Sequence, residues 1–363
     1  MPAIRSLKFG QSAPMTGPAQ RWGIEYHRGL ALAFADHNNR TGADGVLLDL
    51  ILSDDQYEWT LAVQNTQDFV RDDEVFGFIG YVGSECALAS RAVASAAGKP
   101  FISPLSGSDA LRTQPSRWLL TTRADDDAEA RVLASALRTI DFKRIAAVVQ
   151  SDADGQSAMR SHERAIASLG RPPVIGTVQV SRNPGIQADL GGVEMDTALR
   201  LLREKNADAI VCLCSFSTTA EIVRRLRKSG FAGGCYATNL SSSGGLGTAL
   251  GRLSGGLSIT QVVPSPFVLS TPLVSNYRSA LASSGGQAPE YVSLEGWIAG
   301  RMVFEVVKWH AGGRLTRDLF MKGFEGLANV DLDGLPLHWH RARRELSFPV
   351  TLSVLNESGR PLN

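Results

Sequence analysis

Short apolar runs alternate along this chain with longer stretches in which apolar side chains recur every third or fourth position. The first pattern predicts buried strands and the second amphipathic helices. Leu7–Phe9 precedes a Gly-Pro loop and a helix over Ala19–Asn38 that sets Tyr26, Leu30, Ala33, Phe34 and His37 on one face. Val46–Leu52 predicts a strand ending in Ser53-Asp54-Asp55, followed by a helix carrying Leu61, Val63, Phe69 and Val70 and by strand Val75–Ile79. A second series runs through strand Ile145–Val149, helix Gln156–Leu169, strand Val174–Val180, helix Asp196–Lys205, strand Ala209–Leu213, helix Thr218–Ser229 and strand Cys235–Thr238. Alternating strands and helices predict parallel α/β layers, and two successive arrays predict two similar lobes rather than one large sheet. Gly256–Val263 is again strand-like, Ser293–His310 sets Trp297, Met302, Val303, Val306 and Val307 at helical spacing, and Pro349–Leu355 is the last strand after an irregular segment.

The length of 363 residues agrees with two domains, since one core rarely grows so large. With 37 basic and 36 acidic side chains there is no global field to attract nucleic acid or an anionic membrane. No apolar run approaches the roughly 20 residues of a membrane span. The four cysteines form neither CxxC pairs nor a Cys/His cluster of zinc spacing, which predicts buried thiols, although Cys235 could approach Cys212 or Cys214.

Phe76–Arg112 twice sets a hydroxyl-bearing loop after a hydrophobic run. Ile79-Gly80-Tyr81-Val82-Gly83-Ser84 leaves one strand through glycines, and Ser106-Gly107-Ser108 follows Lys99-Pro100-Phe101-Ile102-Ser103-Pro104. Strand ends of this kind form the ligand crevice of open parallel sheets, and serine hydroxyls with helix N-termini suit an anionic or strongly polar group. This segment, with Phe9-Gly10-Gln11-Ser12-Ala13-Pro14-Met15-Thr16-Gly17-Pro18, Asp54-Asp55 with Tyr57, Arg123-Ala124 and Thr260-Gln261-Val262-Val263-Pro264, resembles the type I periplasmic solute-binding proteins of ABC transporters. The branch it resembles is that of the leucine/isoleucine/valine receptors. The resemblance implies two flavodoxin-like, Rossmann-like lobes with parallel sheets joined by a three-strand hinge: residues 1–121 plus 264–332 in lobe 1 and 122–263 plus 333–363 in lobe 2. The crossings would lie near Leu120–Arg123, Ile259–Val263 and Val330–Leu337, and closure would bury the ligand.

Carried over residue by residue, the resemblance implies a first-lobe anchor at Ser84, with Tyr81 and Glu85 in the same loop, and a second loop at Ser106, Gly107 and Ser108. For Ser84 the residues alone also allow helix N-capping. Trp22 matches a position that often lines the cleft, and equally suits packing under the Gly17-Pro18 loop. In the second lobe Asp154 stands where the family has an aromatic residue, Asp126 follows Arg123-Ala124 where a ligand-facing group is common, Phe216 sits near an aromatic position, and Thr238-Asn239-Leu240-Ser241 replaces a carboxylate for the ligand ammonium. Asp126, Asp154 and Glu85 would neutralise a cationic group if they converge, or cap helices if they do not. The absence of a carboxylate near Asn239 removes the usual α-ammonium clamp.

No phosphate loop, zinc helix or nucleophile elbow occurs, so no catalytic residue, cofactor or metal is expected. His338 and His340 share a strand face without a third ligand nearby, Asp331-Leu332-Asp333-Gly334 is a turn rather than a calcium loop, and Arg341, Arg343 and Arg344 make a solvated face. The expectation is a non-enzymatic periplasmic receptor that captures a small polar amino acid, amide or carboxylate and presents it to an ABC transporter permease. An export leader would have been removed ahead of Met1. A ligand-sensing regulator of the same fold is the alternative.

Overall fold

The computed structural model describes residues 5–17, 19–41, 45–113, 116–171, 173–181, 196–197, 199–241, 244–309, 315–327 and 331–362. It divides into two compact units. Unit 1 is Met1–Ser106, Ala110–Ala124 and Val263–Phe348, and unit 2 is Gly107–Asp109, Asp125–Val262 and Pro349–Asn363.

Unit 1 opens with β1 (Arg5–Ala13), α1 (Gln20–Arg40), β2 (Val46–Asp54), α2 (Trp59–Arg71), β3 (Val75–Ile79), α3 (Ser84–Ala96), β4 (Phe101–Ile102) and β5 (Leu119–Leu120). The strands form a parallel sheet ordered β2-β1-β3-β4-β5. Chain order therefore reverses between β1 and β3, the switch point at which loops on either side diverge and leave a crevice.

Unit 2 repeats that plan with β6 (Ile145–Gln150), β7 (Gly176–Val180), β8 (Ala209–Leu213), β9 (Gly234–Ala237) and β10 (Leu257–Gln261), joined to helices α4 (Asp126–Thr139), α5 (Ala153–Ser168), α6 (Phe216–Lys228) and α7 (Gly244–Leu250). Its sheet runs β14-β13-β10-β9-β8-β6-β7, with the late strands β13 (Thr351–Leu355) and β14 (Pro361–Leu362) added antiparallel. The parallel part has the same internal order as unit 1, with its switch point between β6 and β8. Helix expectations over Asp196–Lys205 extend into residues outside the described set.

Near-continuous apolar runs predict strands covered on both faces, and period-two alternation sorts them. On one side of the unit 2 sheet Ala146, Val148, Ile210, Cys212, Cys235 and Ile259 share a core. On the other Ile145, Ala147, Val149, Ala209, Val211 and Leu213 share a second. All four cysteines are buried and none is in a disulfide.

Between β10 and β13 the chain returns to unit 1 as α8 (Pro272–Ser283), α9 (Tyr291–Trp309), α10 (Arg317–Gly326) and the hairpin β11 (His338–His340) and β12 (Glu345–Ser347). The chain passes between the units at Ser106/Gly107, Asp109/Ala110, Ala124/Asp125, Val262/Val263 and Phe348/Pro349. The last corrects the expected boundary between 332 and 333; Val330 itself lies outside the described residues. The physical reason is backbone pairing: the Thr121 N–H donates to the Arg344 carbonyl (3.1 Å) and the Leu346 N–H to the Thr121 carbonyl (2.9 Å), so this stretch extends unit 1. His338 and His340 are exposed on β11, and among the described residues they belong to no cluster of metal-ligand geometry.

Candidate functional site

In unit 1 the loops after β3 and β4 continue to pair beyond the strands. Val82 bridges Leu105 in parallel register, the Leu105 N–H donates to the Tyr81 carbonyl (2.7 Å), and the Gly83 N–H donates to the Leu105 carbonyl (3.1 Å). This pairing sets the Ser84 and Ser106 hydroxyls 2.6 Å apart, both buried. Ser84 is the first residue of α3, and the N-cap is Gly83 at φ 88°, without a side-chain cap bond. The capping reading of Ser84 is thus replaced by a hydroxyl pair. The first intrahelical bond runs from the Ala87 N–H to the Gly83 carbonyl, so earlier N–H groups point along the axis from the positive end of the helix. That end and two hydroxyls make a setting suited to a carboxylate or carbonyl.

An aromatic wall stands beside it. Trp22, in the first turn of α1, meets Tyr57 edge-to-face at 6.1 Å between centroids. A Cβ on Gly83 would collide with the Tyr57 ring, so glycine there admits both the left-handed backbone and the ring. Tyr57 is itself held at φ 65°, its N–H donating to Asp55 Oδ1 (2.9 Å). Next to it, burial works against the charged form of Asp54, but donors from Thr16, Gln56 and Met15 outweigh it and hold its carboxyl below the usual range. Glu85 is exposed on the first turn of α3.

Tyr81 is a correction. Its ring packs 4.7 Å from Phe101 and 6.2 Å from Phe78, and its hydroxyl pairs with Thr66 Oγ1 at 2.9 Å. Gly80 at φ 71° breaks strand alternation and turns the next side chain into the core. Burial raises the phenol well above its ordinary value.

Two glutamines span the switch points, and neither is among the site residues expected from sequence. Gln11 donates from Nε2 to the Gly80 carbonyl (3.1 Å), its Oε1 lying 2.7 Å from His27 Nδ1. Gln150 accepts the Ser215 N–H at Oε1 (3.0 Å) and donates from Nε2 to Asp152 (2.5 Å). The sequence signal is clear only for Gln150, the polar residue that closes the apolar strand β6.

The remaining site candidates fall in unit 2, Gly107 and Ser108 included. Asp125 and Asp152 are the N-caps of α4 and α5, accepting from the Ala128 and Gly155 N–H groups. Asp126 and Asp154 occupy the first turns behind those caps. Asp126 accepts the Ser157 hydroxyl (2.5 Å), and its N–H donates to the Gly107 carbonyl (2.9 Å). Arg164 joins Asp109 (2.7 Å) and Asp127 (2.6 Å). The caps are thus Asp125 and Asp152, while Asp126 and Asp154 stand in the first helical turns beside them. Phe216 begins α6, half-buried against the unit 2 core.

Asn239 is buried after β9, its N–H donating to Glu129 (2.7 Å) and its amide to Gln261 (3.4 Å). Glu129 was missed. It also accepts the Thr260 hydroxyl (2.5 Å) and brings a carboxylate beneath the position where Asn239 lacks one. It shares the helical face of Leu133 and Leu137, both buried, and a carboxylate on an apolar stripe is the sequence signal that marks it.

Comparison with known families matches the family model described as "Periplasmic binding protein" to residues 6–360. The chain belongs to the periplasmic binding protein family. Its resemblance to the leucine/isoleucine/valine branch therefore holds, the fold is that of type I periplasmic binding proteins, and the family consists of binding proteins, not enzymes. An "Amino acid binding protein" of Pseudomonas aeruginosa is 21% identical over 295 residues, 80% of this chain and 75% of that protein. The crystal structure of a possible leucine/isoleucine/valine-binding protein from Rhodopirellula baltica superposes with a TM-score of 0.87 at 26% identity, covering 99% of this chain and 97% of that one. An ABC transporter solute-binding protein of R. palustris, in complex with benzoate, gives a TM-score of 0.84 at 18% identity over 99% and 95%. No helix of this periplasmic binding protein is long and apolar enough to cross a membrane among the described residues.

Proposed function

We propose that this protein is the periplasmic receptor of an ABC importer, capturing a small polar organic solute by hinge closure and presenting it to the membrane permease. The solute's carboxylate or carbonyl end would lie on Ser84 and Ser106. The observation that carries this reading is the buried pair of hydroxyls, 2.6 Å apart, at the N-terminus of α3. The relatives support it: amino acids and benzoate, named for two of them, share a carboxylate. The other end of the solute would be set by unit 2, where Asp126 and Asp154 stand in the first turns of α4 and α5, beside the capping residues Asp125 and Asp152. This favours amino acids, amides and aromatic or aliphatic carboxylates over polyamines. A solute that prefers the closed form shifts the population toward it by its differential affinity.

A thermal-shift screen of amino acids, amides, carboxylates and polyamines tests the reading. A solute at 100 times its dissociation constant adds about 2.7 kcal/mol, and with about 2.1 cal/mol/K of unfolding entropy per residue the midpoint rises by roughly 3–4 °C. A carboxylate or amino-acid hit supports the serine anchor. A hit confined to polyamines overturns it, and silence across the panel shifts weight to the sensor alternative.

A further inference from the structure

Arg112 stands apart from the Ser84 hydroxyl pair, yet its side chain is wholly buried and directs donors to three separated stretches of unit 1. Nε donates to Glu345 Oε2 (2.5 Å), Nη1 to the Ser106 carbonyl (3.4 Å) and Nη2 to the Arg123 carbonyl (3.0 Å). Ser106 is the last residue before the chain passes to unit 2 at Gly107, Arg123 comes just before the passage at Ala124/Asp125, and Glu345 shortly before the one at Phe348/Pro349. Arg112 itself closely follows the re-entry at Ala110.

The acceptors are fixed. The Ser347 hydroxyl donates to Glu345 Oε1 (2.9 Å), and backbone bonds between Thr121 and residues 344 and 346 hold the strand that carries Glu345. Relative to apolar packing a buried ion pair contributes little net stability. What the guanidinium adds is geometry, because its planar fork presents several donors in fixed directions, which an ammonium does not.

We propose that Arg112 is a positioning residue that sets, from inside unit 1, the backbone at three of the five places where the chain passes between the units. One of them is the loop carrying Ser106. The inference deepens the solute-receptor reading and rests on it for the role of Ser106. Any hinge motion then begins beyond the held residues, at 107–109, 124–126 and 348–350.

Amide hydrogen exchange on the full chain without solute tests this in Arg112→Lys and, because an unpaired Glu345 can prevent folding, in the doubly uncharged Arg112→Met/Glu345→Leu. Segments 104–108, 119–124 and 343–348 are followed, with β3 and β6 as references. The expected result in both variants is exchange about ten-fold faster or more in all three segments together, with the references unchanged. Lysine, which keeps the charge, does not rescue. Faster exchange in 343–348 alone, an equal rise in the references, or no change overturns the proposal. Since no solute is used, the result is independent of whether the serine anchor binds one.

Discussion

The hydroxyls of Ser84 and Ser106 lie 2.6 Å apart although 22 positions separate them in the chain. On the proposed reading the solute carboxylate accepts from one hydroxyl of the pair, which in turn accepts from the other, each hydroxyl having a single proton. Either alanine variant breaks this relay and weakens binding of the best carboxylate in the screen by about ten-fold or more, one hydrogen bond to a charged group being about 1.5–3 kcal/mol. Because the hydroxyls also bond one another, the double variant loses less than the sum. Calorimetric titration of the three variants checks this. An additive double loss would mean that the two hydroxyls act separately.

Gly83→Ala meets two obstacles at once, the backbone at φ 88° and the Tyr57 ring. Destabilisation of about 2–4 kcal/mol is expected, from left-handed strain together with overpacking. Adding Tyr57→Ala removes the collision and leaves the backbone term, so urea unfolding of the pair shows whether the double variant falls short of the summed losses.

His162 on α5 is fully buried and neither ring nitrogen has a hydrogen-bond partner. Burial lowers its pKa to about 4. The unfolded chain takes up this proton near pH 6.5 and the folded one only near 4, so stability is full above the unfolded value and is lost as pH falls through that window. The loss between pH 7 and pH 4 is about 3 kcal/mol. Urea midpoints across this range, compared with those of His162→Leu, isolate the contribution, which the leucine variant lacks.

Glu129→Ala removes the acceptor of the Asn239 N–H and the Thr260 hydroxyl. Two buried donors are orphaned, and stability falls by about 2–4 kcal/mol; Glu129→Gln, which keeps one carbonyl acceptor, loses roughly half of that. Denaturant titration distinguishes the two variants, and equal losses would show that the charge matters more than the acceptor.

The four thiols are buried. Burial raises that of Cys235, and for Cys212 the hydrogen bond with Cys214 and burial act in the same direction. A thiol-specific chromogenic disulfide should find none of them in the native protein and all four in denaturant, because the thiolate is the nucleophile. Rapid native labelling at any one of them would contradict its burial.

Much of the architecture was legible because unit 2 strands are apolar on both faces, as at Ile145–Gln150 and Ala209–Leu213, and because α1 carries a clear apolar stripe. Helix α4 escaped notice behind its run of aspartates, and with it Glu129. The hairpin His338–Ser347 escaped because each strand is three residues long and β11 is partly exposed, and its place depends on Thr121, far off in the chain. In the site, Ser84 and Ser106 were legible as hydroxyls on strand-end loops. The inward turn of Tyr81 was not, since one left-handed glycine decides it. Arg112 was illegible for a related reason: its partners at 106, 123 and 345 converge only after folding.

Gln11 and Gln150 have a consequence beyond their own bonds. Each uses both ends of its amide, as donor at one and acceptor at the other, so neither an isosteric carboxylate nor an apolar side chain of the same length can take its place. The two halves of the molecule thus carry the same chemical rivet at the same topological seam, with its polarity reversed: in one half the amide donates a hydrogen bond to the chain across the gap, in the other it accepts one. What the halves share here, beside their strand order, is a way of closing a gap.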